Sequence, residues 1–239
     1  MPNDVMNRFK TTKGMDEFLD KFYDSENKRL DFNRIIPMPD TVRVTVSNGY
    51  QEDALKVYND YKSTEEVPAQ ILKRINPAIF KDEDIGYRDM IPYMSDTSKS
   101  IILYSKNKDS FTLDESYQLM YDLGKIYQDN ITSYGYPTWY EWSWANWGTK
   151  WNSYNGRVNP STGELMFLTA WVSPLNIYHK LHEMGYRFTV SFADEDFGRN
   201  GGTIDATEDD ILIIPFSTDH DVAYHQAAAI WVERRQSHK

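Results

Sequence analysis

From residue 164 to residue 234 the spacing of apolar residues changes period several times, and that succession constrains the fold more than any other feature of the chain. Residues 164–171 are a nearly unbroken apolar run of strand length. Residues 174–184 follow as a helix opened by proline, whose fixed φ suits a first turn. Over 187–192, Phe188, Val190 and Phe192 recur at the period of two that marks one face of a strand. Gly198, Gly201 and Gly202 predict a turn, residues 203–206 or 211–216 the next strand or strands, and residues 221–234 a final helix. Strand, helix, strand, turn, strand, helix is most of a split βαβ arrangement. The pattern predicts an α+β fold whose C-terminal part, from about Arg157, is a ferredoxin-like antiparallel sheet with helices on one face. Residues 164–171 and 187–192 are expected to be neighbouring strands of that sheet.

A mixed helical and strand part precedes it. Residues 5–12 read as a strand stopped by Gly14, and residues 15–23 as a helix with Met15, Phe18, Leu19 and Phe22 on one face. FNRIIPMP, residues 32–39, is expected to be extended, because each proline biases its predecessor away from helix. Over 41–47, Val42, Val44 and Val46 alternate with polar residues, which predicts a half-buried strand ending at an Asn48-Gly49 turn. Residues 51–62 and 67–75 have helical spacing. From 81 to 109 the pattern weakens to one apolar run, 101–104. Thr112 and Glu115 then stand at capping-box spacing ahead of a helix carrying Leu113, Tyr117, Met120, Leu123 and Tyr127 on one stripe. The division this implies is an N-terminal α+β part with an irregular middle, 1–133, and an aromatic helix plus ferredoxin-like domain, 134–239.

Composition narrows the function classes. The chain has 239 residues, 26 Lys+Arg against 36 Asp+Glu, a net charge of −10 and no cysteine. Disulfides, thiolate zinc sites and cysteine nucleophiles are thereby excluded. A mean hydropathy of −0.66 and no apolar run of membrane-spanning length predict no membrane association. Neither a basic segment nor an apolar core marks a signal peptide at the N-terminus, so a cytoplasmic protein is expected. A negative chain repels the phosphate backbone, which makes non-specific duplex binding an unfavourable role.

No motif specifies catalysis. In HKLHE, His179 and His182 stand three apart with Glu183 trailing, whereas the zinc-protease helix needs histidines at i, i+4 with the glutamate beside the first. The glycines at 198, 201 and 202 spell no phosphate loop, the twelve-residue calcium-loop pattern is absent, and no Gly-x-Ser-x-Gly elbow occurs. The expectation is a protein without enzymatic activity, catalytic residues, metal or cofactor. The densest single-sign stretch is acidic: Asp194, Glu195, Asp196, Asp205, Glu208, Asp209 and Asp210 against Arg199 alone. Such a stretch is either a solvated loop and strand edge or a field that attracts and captures a basic protein surface. No pattern specifies an oligomeric state.

Five of the seven tryptophans lie between Tyr134 and Tyr154. Tyr140, Trp144, Trp147, Trp151 and Tyr154 are spaced four, three, four and three, which predicts a helix over about 138–151 with Trp144, Trp147 and Trp151 mostly buried. If exposed, such rings would stack bases or sugars, and Trp139, Trp142, Lys150 and Arg157 are then the candidate residues of a nucleotide or single-strand site. The run WYEWSWANWGTKWNSY, 139–154, is followed by a strand ending in Thr169-Ala170-Trp171 and by Pro174. With the opening Met1-Pro2-Asn3, Asn7, Gly14 and FNRIIPMP, it resembles phage and plasmid accessory proteins carrying a C-terminal YubB-type ferredoxin-like domain. NWGTKWN, residues 146–152, is its most specific piece. The resemblance implies a ferredoxin-like fold and residence in a mobile element, and names no chemistry. Together these features predict a non-enzymatic accessory protein that binds and modulates a host bacterial protein with a basic surface, such as a defence or DNA-handling enzyme. Nucleotide or single-strand binding is the alternative.

Overall fold

The computed structural model describes residues 3–46, 49–80, 87–105, 108–197 and 200–236, with side chains as far as residue 231. Met1, Pro2, Asn48, Gly198 and Arg199, which figured in the motifs and turns above, lie outside the described residues, as do 81–86. The fold is α+β. By contacts the chain divides into two units, Met1–Pro37 with Ser143–Lys239, and Met38–Trp142.

The first unit is built on β1 (Asp4–Thr11), α1 (Met15–Phe22) and a short hairpin, β2 (Tyr23–Asp24) with β3 (Arg29–Leu30). The second contains α2 (Asp40–Arg43), α3 (Tyr50–Asp60), α4 (Ala69–Leu72), α5 (Asp96–Tyr104) and α6 (Leu113–Tyr134). Helix α7 (Trp139–Trp147) leads back to the first unit, which continues through β4 (Tyr154–Val158), β5 (Leu165–Ala170), α8 (Leu175–Glu183), β6 (Phe188–Asp194), β7 (Gly201–Ala206), β8 (Ile211–Pro215) and α9 (His220–Gln236).

The six strands of the main sheet run in the order β4-β5-β1-β6-β7-β8, each antiparallel to its neighbours. Strands β5 and β6, expected from the sequence to be neighbours, are not; they flank β1, with Phe9 opposite Leu165 on one side and Val190 on the other. The reason is the crossover: a strand–helix–strand unit lays its two strands parallel, and β1 fills the gap between them as an antiparallel centre. The expected division at 133/134 differs from the observed one for the same reason, since the central strand comes from the first residues of the chain.

Alternation along β1 sorts the two cores. Phe9 stacks on Phe18 of α1, centroids 4.7 Å apart, and packs near Tyr178 of α8 at 6.3 Å and Phe188 at 5.0 Å. Met6 points the other way, into a cluster with Met166, Leu168 and Ala193 that Ala227, Ile230 and Trp231 of α9 cover. Helices thus lie on both faces, α1 and α8 on one and α9 on the other, where one covered face was expected. The signal was present: Ala223, Ala227, Ile230 and Trp231 are buried at helical spacing.

The second unit has its own core, in which Ala54, Val57, Leu72, Ile79, Met90, Leu119, Met120, Leu123 and Tyr127 are buried. The capping box at Thr112 and Glu115 is present, and α6 ends at Gly135 with φ 82°. Over the described part of 41–47, residues 41–46, the expected strand does not form. A turn of helix occupies Asp40–Arg43, and side chains of α6 satisfy the carbonyls a sheet neighbour would have taken: Tyr127 Oη donates to Val46 O at 2.8 Å and Asn130 Nδ2 to Thr41 O at 3.3 Å. Two further segments differ. Residues 32–34 form a short 3₁₀ turn in which Asp31 accepts from the Asn33 N–H, and helix over 67–75 is confined to Ala69–Leu72. Within the weak 81–109 region Ser95 caps α5, accepting from the Ser98 N–H.

Candidate functional site

The seven acidic residues do not form one surface. Strands β6 and β7 pair from Ala193 opposite Gly201 at one end to Phe188 opposite Ala206 at the other. Asp194, Glu195 and Asp196 sit at the first end. Asp205, Glu208, Asp209 and Asp210 sit toward the second, about 15–20 Å away at roughly 3.3 Å per strand residue. The two groups also differ in kind. Asp194 is buried. The Glu195 carboxylate accepts from the Asp4 N–H at 3.1 Å, and the Asp196 carboxylate from Asn3 Nδ2 at 2.6 Å, so these two fasten the start of β1. Asp205, Glu208, Asp209 and Asp210 are exposed, and among the described residues none of the four forms an ion pair. Arg187 donates to the carbonyls of His182, Tyr186 and Glu208 instead. A sequence run that spans a whole strand places its ends apart, which a count of carboxylates does not reveal.

The tryptophan-rich segment resolves into a scaffold and an outward cluster. Gly148, at φ 76°, stops α7, so the stripe does not continue to Trp151 and Tyr154 on one helix. Within NWGTKWN, Trp147, Thr149 and Asn152 tie down neighbouring chain. Trp147 is buried edge-on to Phe32 and donates through Nε1 to Ile36 O at 3.0 Å. Thr149 Oγ1 donates to Ala170 O, and Asn152 accepts from the Phe32 N–H while donating to Asp31. The two segments that carried the resemblance, 32–39 and 146–152, are thus bonded to each other.

The Lys150 ammonium lies 4.6 Å from the ring centroids of both Trp151 and Trp171, and Trp144 stacks on Trp171 at 5.9 Å with planes 22° apart. Trp151 and Trp171 are each 38% exposed. Trp171 has φ 70°, a conformation unusual for a bulky residue, held by its N–H donating to Asn3 O and its carbonyl accepting from Asn200 Nδ2. Of the three indoles expected to be mostly buried, Trp147 is buried and Trp144 half-buried, while Trp151 is 38% exposed. Lys150 is in the cluster, Trp142 is buried, Trp139 meets Tyr140 edge-on, and Arg157 stands on β4 opposite Met166. Trp171, expected from the sequence only as a strand end, lies in the same cluster.

Among the described residues no group of three or more histidines and carboxylates is arranged to hold a metal ion. His182 Nε2 bonds to Thr207 O at 2.9 Å, tying α8 to the end of β7, and His179 is exposed. The second unit carries a cleft of about 670 Å³ lined by Phe80, Arg88, Ile91, Lys99, Ile102 and Leu103. No helix among the described residues is long and apolar enough to cross a membrane.

A family model described as a ferredoxin-like domain in Api92-like protein matches residues 146–228. That span holds β4 through β8, α8 and the start of α9, and leaves β1, the strand at the centre of the sheet, outside it. No curated protein and no solved structure matches the chain.

Proposed function

We propose that this chain is a non-enzymatic accessory protein that captures a positively charged protein partner. The observation that carries the reading is the grouping of Asp205, Glu208, Asp209 and Asp210, exposed and free of ion pairs among the described residues, at one end of the β7–β8 hairpin of a chain with net charge −10. Unpaired carboxylates on one surface give a field that steers a basic partner toward it. The resemblance to phage and plasmid accessory proteins supports a partner in the bacterial cytoplasm, and a defence or DNA-handling enzyme offers a suitably basic groove.

The test is a variant carrying Asp205→Asn, Glu208→Gln, Asp209→Asn and Asp210→Asn. Asp194 is left intact because it is buried. With a partner recovered from nuclease-treated bacterial lysate, the variant should associate about tenfold more slowly at low salt and converge on the parent at high salt. Equal rates at low salt would remove the acidic-surface account.

One observation favours a second reading, the exposed faces of Trp151 and Trp171 beside Lys150. Indole faces with an adjacent ammonium suit a nucleobase and its phosphate. Recovery of a nucleotide or single strand as the sole partner would favour this reading over the first.

A further inference from the structure

We propose that β8 is a docking edge for an extended segment of a protein partner, apolar at alternate positions and flanked by lysine or arginine, which adds to the sheet as a further strand. The proposal rests on the protein-capture reading and names the manner of capture.

The main sheet ends at β8, whose one neighbour among the described residues is β7. Its sequence is Ile-Leu-Ile-Ile-Pro, and Leu212, Ile213 and Ile214 are 55%, 38% and 48% exposed. Sheet edges of soluble proteins are usually blunted by charge because an apolar, open edge pairs with other chains. The backbone orientation follows from the pairing. Phe216 N–H donates to Gly201 O at 3.1 Å and Thr207 N–H to Asp210 O at 2.9 Å, at the two ends of a continuous register. Antiparallel partners alternate between bonded and non-bonded pairs. Leu212 and Ile214 therefore turn their backbone groups toward β7, while Ile211, Ile213 and Pro215 turn theirs outward.

The outward groups are a short ladder with defined ends. Ile213 offers both its N–H and its C=O. At one end Asp210 Oδ1 already accepts the Ile211 N–H at 2.8 Å, and at the other Pro215 has no N–H to give. An added strand is thus centred on Ile213, with side chains at alternate positions beside Ile211, Ile213 and Pro215 on one face and Leu212 and Ile214 on the other. Charge selects the occupant. Glu208, Asp209 and Asp210 precede β8, and Asp219 and Asp221 follow it, all exposed. A strand with an apolar centre and basic flanks satisfies both features, whereas a second copy would bring its own carboxylates to the same edge.

The test uses the full chain and dye-labelled, capped nonapeptides read by fluorescence anisotropy. KKVTVTVKK should bind, and KKVTPTVKK, which has lost its central donor, should bind about tenfold more weakly or worse. EEVTVTVEE should lose a similar factor. Ile213→Pro in the protein removes no backbone group that faces β7, only an outward N–H together with the isoleucine side chain, and should weaken KKVTVTVKK about tenfold with the thermal melt preserved. The proline-centred peptide makes the same test with the protein unchanged, so a folding failure of the variant does not decide the matter. Equal binding of KKVTVTVKK and KKVTPTVKK would overturn strand addition while leaving capture by charge standing. Equal binding of the Glu-flanked peptide would overturn the basic occupant and the capture reading together. A chain that is dimeric in solution and becomes monomeric with Ile213→Pro would overturn the proposal in favour of a second copy.

Discussion

Asn7 is the polar residue on which the sheet core depends most. It is fully buried at the centre of β1, between Val5 and Phe9 on the same face. All its hydrogen-bonding capacity is used: Oδ1 accepts from Ser173 Oγ at 2.5 Å and Tyr178 Oη at 2.9 Å, and Nδ2 donates to Val5 O and Thr169 Oγ1, both at 3.0 Å. Burial pushes the Tyr178 hydroxyl far above its ordinary pKa, so it stays a donor to Asn7 across the working range. Asn7→Leu should cost about 3 kcal/mol in urea denaturation, because it leaves two buried hydroxyls without an acceptor and puts two bulkier methyl groups where the amide stood. The period-two pattern of β1 places Asn7 inward among Val5 and Phe9, so its burial was legible in the sequence. Its partners were not, since Ser173 and Tyr178 lie more than 160 residues away. Trp171 was missed for a related reason: its left-handed backbone is set by Asn3 and Asn200, and local spacing carries no trace of either.

Among the elements, those with strong local signals formed as read. The capping box starts α6, and the alternation of Phe188, Val190 and Phe192 makes β6. Elements whose pattern was contested by tertiary partners did not. The valines at 42, 44 and 46 have strand spacing, yet Tyr127 and Asn130 take the carbonyls at 46 and 41 and hold that segment against α6. The aromatic stripe reads as one helix through Trp151, but Gly148 ends it, so the spacing beyond was coincidental. Close approach of α3 and α6 depends on Gly124, where an added Cβ would lie 2.0 Å from Ala54 O and 2.7 Å from Tyr58 Cβ. Alanine is intrinsically the better helix former by about 1 kcal/mol, yet here the atoms it meets include backbone, so the helices must separate. Gly124→Ala should therefore lower stability by about 2 kcal/mol despite the propensity gain, measured by thermal denaturation. A neutral or raised melting temperature would mean that α3 shifts freely.

At the scale of the whole chain, the order of elements was legible and the order of strands was not. Local periodicity lists strands in sequence, whereas β1 pairs with β5 and β6 across more than 150 residues. Inserting a helical unit between α1 and the rest of the sheet does not disturb the pattern on either side, so nothing in composition marks where it begins. Its independence is visible in the cores. Every residue of the α3–α6 cluster, buried or partly buried, falls between Val44 and Tyr127, and none comes from the sheet unit. The helix that closes the unit carries its own caps at Thr112 and Gly135, and Asn130 Nδ2 donates to Pro137 O just beyond it. A fragment of residues 38–138 retains all of these and stops before α7 begins. It should fold alone with a cooperative urea transition and helical circular dichroism, because about a hundred residues with one contiguous core suffice for a small domain. The complementary expectation is asymmetric. A fragment of residues 143–239 lacks β1, and with it Phe9, Met6 and Asn7, so β5 and β6 lose the strand that joins them. That fragment should show no cooperative transition until a peptide of residues 1–37 is added; a cooperative transition without the peptide would mean that β5 and β6 close the gap unaided.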